Sequence, residues 1–179
     1  MSEQPDTMNL KIIVTGVFAS GKTTLIRAVS EREVCSVYVP IQSPRTKIAM
    51  DYGLIRGNPD PNIVLLGTPS NARFGFDWPV SKKFVLGYII MVDSVKPETF
   101  REAKSILAVF QAYSREPYIV VANKQDQPNV VHPDDLRIAL DIPSEIPIVP
   151  CVATDKESVK RVLLVLLDEV LKAMAADNL

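Results

Sequence analysis

An α/β fold with a mainly parallel six-stranded sheet, one antiparallel edge strand and helices on both faces is what this chain of 179 residues predicts. Three observations predict it. Short apolar runs alternate with helix-like stretches through most of the chain, the pattern of parallel strands joined by crossover helices. The cluster Gly57-Asn58-Pro59-Asp60-Pro61 separates two extended runs and supplies a hairpin. The length suits one domain with a full core better than two.

Residues 1–8 are polar and read as a flexible tail, and residues 9–175 as the domain. The first strand is the β-branched run Leu10 to Thr15, ending at Gly16. A helix continues from Leu25 to Arg32. Glu33 to Arg45 keeps no period and holds two prolines, so a loop or irregular extended segment is expected there. Lys47 to Arg56 and Asn62 to Leu66 form the hairpin, and Gly67 to Lys83 is a second loop. Phe84 to Val92 is a central strand, and Pro97 suits the first turn of a helix that runs to about Tyr113. Tyr118 to Ala122 is a strand, Pro133 to Leu140 a short helix, and Ile146 to Val149 a short strand. Thr154 and Glu157 fit a capping box before the last helix, whose inner face carries Val159, Val162, Leu163, Leu166 and Val170.

Composition narrows the function classes. The formal net charge of −1 lacks the basic surplus of a nucleic-acid binder. Cys35 and Cys151 stand far apart in no metal-like spacing and read as reduced thiols. No leader, membrane span or lipidation signal is recognised, so a cytoplasmic protein with no direct membrane anchor is expected, brought to a membrane only by a partner.

Two motifs carry the chemistry. Gly16-Val17-Phe18-Ala19-Ser20-Gly21-Lys22-Thr23 matches G-x-x-x-x-G-K-[ST], after a strand and opening a helix. The amides of Phe18, Ala19, Ser20 and Gly21, with Thr24 beyond, are expected around a phosphate chain. Lys22 would bridge β- and γ-phosphates, and the Thr23 hydroxyl would bind Mg²⁺. Asn123-Lys124-Gln125-Asp126 follows a strand and matches N-K-x-D. Asp126 can accept both the N1 and N2 donors of guanine, a pair that adenine lacks. Lys124 would lie along the ring, and Asn123 would tie this loop to the phosphate loop. Cys151-Val152-Ala153-Thr154 follows the last strand, with the Ala153 amide expected at the guanine O6.

With these motifs in this order the chain resembles the small Ras-like GTPases, a P-loop family, over residues 9–175. Arg45-Thr46, Met50-Asp51-Tyr52 and Gly67-Thr68-Pro69 are similar to the pattern of the bacterial and archaeal group related to the gliding-motility GTPase MglA. The resemblance implies a molecular switch that binds GDP or GTP with Mg²⁺ and hydrolyses GTP slowly. It also implies a Roadblock/LC7-type regulatory partner and an effector contacting the segments 33–46 and 67–83. Thr46 is implied as a second metal ligand, present only with GTP. Arg45 and Asn71 are implied as catalytic, Arg45 against developing phosphate charge and Asn71 at the attacking water. The chain departs from the usual D-x-x-G-Q in having Gly67-Thr68-Pro69-Ser70-Asn71, and Phe18 stands where many relatives have Gly. With no carboxylate at position 67, modest Mg²⁺ affinity is expected. A module that binds guanine nucleotide without hydrolysing it, and a P-loop small-molecule kinase, are the alternative readings.

Overall fold

The structure, a computed structural model, describes residues 9–41, 43–58, 61–69, 84–113 and 115–176. Its elements in chain order are β1 (Leu10–Gly16), α1 (Lys22–Val29), β2 (Cys35–Ile41), β3 (Ser43–Ile55), β4 (Ile63–Gly67) and β5 (Val85–Asp93). After a single turn of 3-10 helix at Pro97–Thr99 come α2 (Phe100–Tyr113), β6 (Tyr118–Asn123), α3 (Pro133–Ala139), β7 (Ile148–Pro150) and α4 (Lys156–Ala176).

One sheet of seven strands runs in the order β2-β3-β4-β1-β5-β6-β7. β1 lies parallel to β4 and β5, and β6 lies parallel to β5 and β7, whereas β3 is antiparallel to both β2 and β4. A single strand therefore opposes the rest, as expected, but it stands second from the edge. The additional strand is β2, where the sequence led us to expect irregular chain. Pro40 and Pro44 hid it. β2 is an edge strand, and this part of β3 pairs only with β2, so each proline can face away from a ladder it could not join.

α1 and α4 cover one face, over Ile12, Val14, Leu65, Ile89, Met91 and Ile119. α2 and α3 cover the other beside Ile90, Val92, Val120 and Ala122. The strands β1, β5 and β6 are buried on both faces, which is why they read as continuous apolar runs. The last helix is capped differently from expectation. Asp155, not Thr154, accepts the amides of Glu157 and Ser158, each at 3.2 Å, and Glu157 pairs with Lys160 instead of reaching back. The loops after β1, β5, β6 and β7 leave the sheet at the carboxyl ends of parallel strands, where ligands of open α/β sheets bind.

Candidate nucleotide site

The phosphate loop turns between β1 and α1 through two left-handed residues, Ala19 at φ 58° and Gly21 at φ 102°. A Cβ on Gly21 would stand 2.3 Å from Asn123 Nδ2, so glycine is required here both by dihedral and by contact. No acid occupies the first turn of α1, which leaves its N-terminal amides for an anion. Lys22 is 7% exposed and donates to the carbonyls of Gly16 and Val17, each at 2.9 Å. Burial pushes its amine down to about 8, against the opposing pull of Glu102 and Asp51. The Ser20 hydroxyl is fully buried and has no hydrogen-bond partner among the described residues. A buried lysine, an orphaned hydroxyl and an acid-free helix start within one short loop fit a phosphate group. Phe18, by contrast, is 74% exposed on the rim of the loop.

Next to the loop, Thr23 donates its hydroxyl hydrogen to Asp51 Oδ2. Asp51 lies on β3 directly opposite Gly67 of β4. A Cβ at position 67 would meet Ile26 Cδ1 at 2.8 Å and Asp51 Cβ at 3.1 Å. The carboxylate missing from position 67 thus stands one strand over, and its backbone neighbour is glycine because that space is taken. Asp51 belongs to the Met50-Asp51-Tyr52 run that carries the resemblance, but no metal role was expected of it. The signal was present in the hairpin register: counting four residues back from Ile55 and four forward from its partner Ile63 reaches Asp51 and Gly67.

The base end is a junction of three loops. Asn123, 2% exposed, donates from Nδ2 to the Ser20 carbonyl at 2.8 Å and accepts the Ala153 amide on Oδ1 at 3.0 Å. Lys124, at φ 67°, reaches back to Asp93 Oδ2 at 2.5 Å. Asp126 is exposed and accepts the neighbouring Gln127 amide at 3.0 Å. A pocket of about 470 Å³ runs from Ala19, Gly21 and Thr24 to Lys124, Asp126, Val152, Ala153 and Thr154. Its volume suits a small-molecule ligand. One expectation changes: the Ala153 amide serves Asn123, and the adjacent Thr154 lines the same pocket.

The sequence model of the ADP-ribosylation factor family matches residues 1–170. The chain belongs to that family. It is therefore a small GTPase of the Ras-like superfamily, a GTP-binding switch of a family whose members hydrolyse GTP. Family membership leaves the small-molecule-kinase alternative without support. In this member of the ADP-ribosylation factor family, Gly21 and Thr24 line one pocket with Asn123, Lys124, Asp126, Val152, Ala153 and Thr154, while Ser20, Lys22 and Thr23 adjoin it in the phosphate loop and the first turn of α1. Arg45 and Thr46 were expected there too. Both lie in the backbone of β3, and their side chains are outside the described residues. Thr46 is five positions from Asp51, about 17 Å along an extended strand. The expected loop at 33–46 is in large part the β2–β3 hairpin, with Tyr38 69% exposed. Asn71 and Ser70, with Phe74, Phe76 and Trp78 of the expected second contact segment, lie outside the described residues, as does the tail 1–8. No described helix is long and apolar enough to cross a membrane.

Proposed function

We propose that this family member holds GDP or GTP with Mg²⁺ in the pocket between the phosphate loop and Asp126. The observation that carries the reading is Asn123, whose one amide group joins the phosphate loop to the loop of Ala153 and so makes a single site of the two motifs. Asp126 accepts guanine N1 and N2 after Gln127 moves off, and rejects adenine by being left unpaired. The Thr154 amide is the donor for guanine O6, beside Ala153. Phe18, Ala19, Ser20, Gly21 and Thr24 surround the phosphates, and the Lys22 ammonium turns from its carbonyls onto phosphate oxygens.

Thr23 and Asp51 fit a Mg²⁺ that completes its shell with phosphate and water oxygens, since among the described residues no three His, Cys, Asp or Glu side chains gather for a metal on their own. Held by Thr23 and Asp51, such an ion would supply neutralisation of phosphate charge. The nearby Asp51 makes its affinity higher than a site without a carboxylate would give. Thr46 joins the shell only when the β2–β3 hairpin opens from the state described above. The same opening brings Arg45 to the charge developing between β- and γ-phosphate, with Asn71 at the attacking water. Hydrolysis is slow while the hairpin stays zipped, and a partner that opens it speeds the reaction. The Arg45-Thr46 pair and Gly67-Thr68-Pro69 support an MglA-like member with a Roadblock/LC7-type partner, cytoplasmic and taken to membranes by that partner. Effectors read residues 33–46 and 67–83.

Asp126→Asn tests the base assignment. It should move preference from guanine to xanthine nucleotides, whose extra carbonyl replaces a donor. Unchanged guanine preference in a folded variant, or equal wild-type affinity for ATP and GTP, would remove the assignment.

A further inference from the structure

Asp93 is the last residue of β5, opposite Asn123 in the register of β5 and β6, and its side chain is 0% exposed. A carboxylate buried this deeply is costly unless both oxygens are satisfied. Oδ2 takes the Lys124 ammonium at 2.5 Å, and Oδ1 accepts the Val95 amide at 3.1 Å. The next residue repeats the pattern. Ser94 accepts the Gln125 amide group on Oγ at 3.1 Å, donates its own amide to the Asn123 carbonyl at 3.3 Å, and accepts the Val131 amide at 2.9 Å. Every one of these bonds joins the turn after β5 to the loop after β6 or to the chain beyond it, except the one to Val95, which shapes the turn itself. Val95 and Lys96 after β5 and Lys124 and Asp126 after β6 all line the pocket.

We propose that Asp93 is the positioning residue of the base pocket, its single buried carboxylate holding the Lys124 head and the Val95 turn so that both walls stand ready for the base. With its amine anchored, the Lys124 side chain presents its methylene stem as a fixed apolar wall, and the rotamer freedom of a long cation is lost on folding rather than on binding. The left-handed backbone of Lys124 points the same way: a strained residue is held where the pair requires it. Asp93 touches no ligand; it acts through Lys124. The inference rests on the guanine-nucleotide reading of the pocket.

Release of a fluorescent GDP analogue from the full chain tests it, in wild type, Asp93→Asn, Lys124→Met and the double variant. Preference of the wild type for GDP over ADP is measured first; equal binding overturns the pocket reading and the role of Asp93 with it. Given that preference, Asp93→Asn should speed release about tenfold, within the range of coupled polar neighbours. In the Lys124→Met background the same substitution should change release by less than about twofold, because the coupling has already gone. Base preference should stay guanine throughout, since Asp126 sets it. Wild-type release from Asp93→Asn, or a further tenfold in the double variant, overturns the proposal while leaving the pocket reading intact. If Asp93→Asn alone does not fold, Lys124→Met against the double variant decides by the same criterion, the double variant leaving no buried charge unpaired.

Discussion

The two ends of the nucleotide site are built on different principles. At the base end, Asn123, Asp93 and Ser94 join strand-end loops through buried hydrogen bonds, and each loop leaves a strand of the central core. At the phosphate end the helix start, Lys22 and the Thr23–Asp51 pair are equally fixed, but Arg45 and Thr46, to which the proposed function gives roles in hydrolysis, sit on a hairpin at the sheet edge. On the proposed function, the difference makes binding and turnover separable. A rigid pocket can hold nucleotide while the edge strands decide when it is hydrolysed.

The largest effect separates the two ends most sharply. Arg45→Ala should slow single-turnover GTP hydrolysis about a thousandfold in the presence of a hairpin-opening partner, the size expected of an arginine that meets transition-state charge. GDP affinity should not change. Equal rates for both proteins, with and without the partner and with GDP binding intact, would remove Arg45 from the transition state.

Lys22→Met comes next and acts on binding. It should weaken GDP affinity about a hundredfold, the scale of truncating one member of a buried charge pair. Its pH dependence sharpens the point. In the free protein the buried amine loses its proton as pH rises through about 8, whereas a bound phosphate needs the charged form. GDP affinity should therefore fall above about pH 8, with proton uptake on binding seen by calorimetry in buffers of different ionisation enthalpy. The ligand-free fold shows the opposite slope. The unfolded chain holds this proton up to 10.5, so stability should rise with pH between about 8 and 10.5. Lys22→Met should flatten both slopes.

The smallest effect concerns the transposed carboxylate. Asp51→Gly should lower Mg²⁺ affinity in the nucleotide complex about tenfold and speed EDTA-triggered release, as loss of a metal-orienting group does. Adding Gly67→Asp returns a carboxylate to the facing strand, and only the flexible end of Ile26 has to move once Asp51 is gone. Partial recovery is expected. No loss in the single variant would show that Asp51 does not serve the ion.

The parts legible in sequence were those written in contiguous residues. The phosphate loop and N-K-x-D each follow their strand, and the apolar runs of β1, β5 and β6 mark strands buried on both faces. What escaped depended on neighbours distant in the chain. β2 was hidden by prolines that only an edge strand tolerates. Asp51 acquires its meaning from the residue across the ladder, and the compensation for Gly67 shows only through that register. The Ala153 amide was aimed at the base because its bond to Asn123 crosses 30 positions. Asp93 lies just past the strand expected to end at Val92, and its burial against Lys124 is a fact of packing alone.

The most direct measurement is the identity of the nucleotide released when the purified protein is denatured. A pocket that runs from Gly21 and Thr24 of the phosphate loop and α1 to Asp126 should give up GDP or GTP in near-equimolar amount. An adenine nucleotide, or none with GDP and ADP then binding equally, would contradict it.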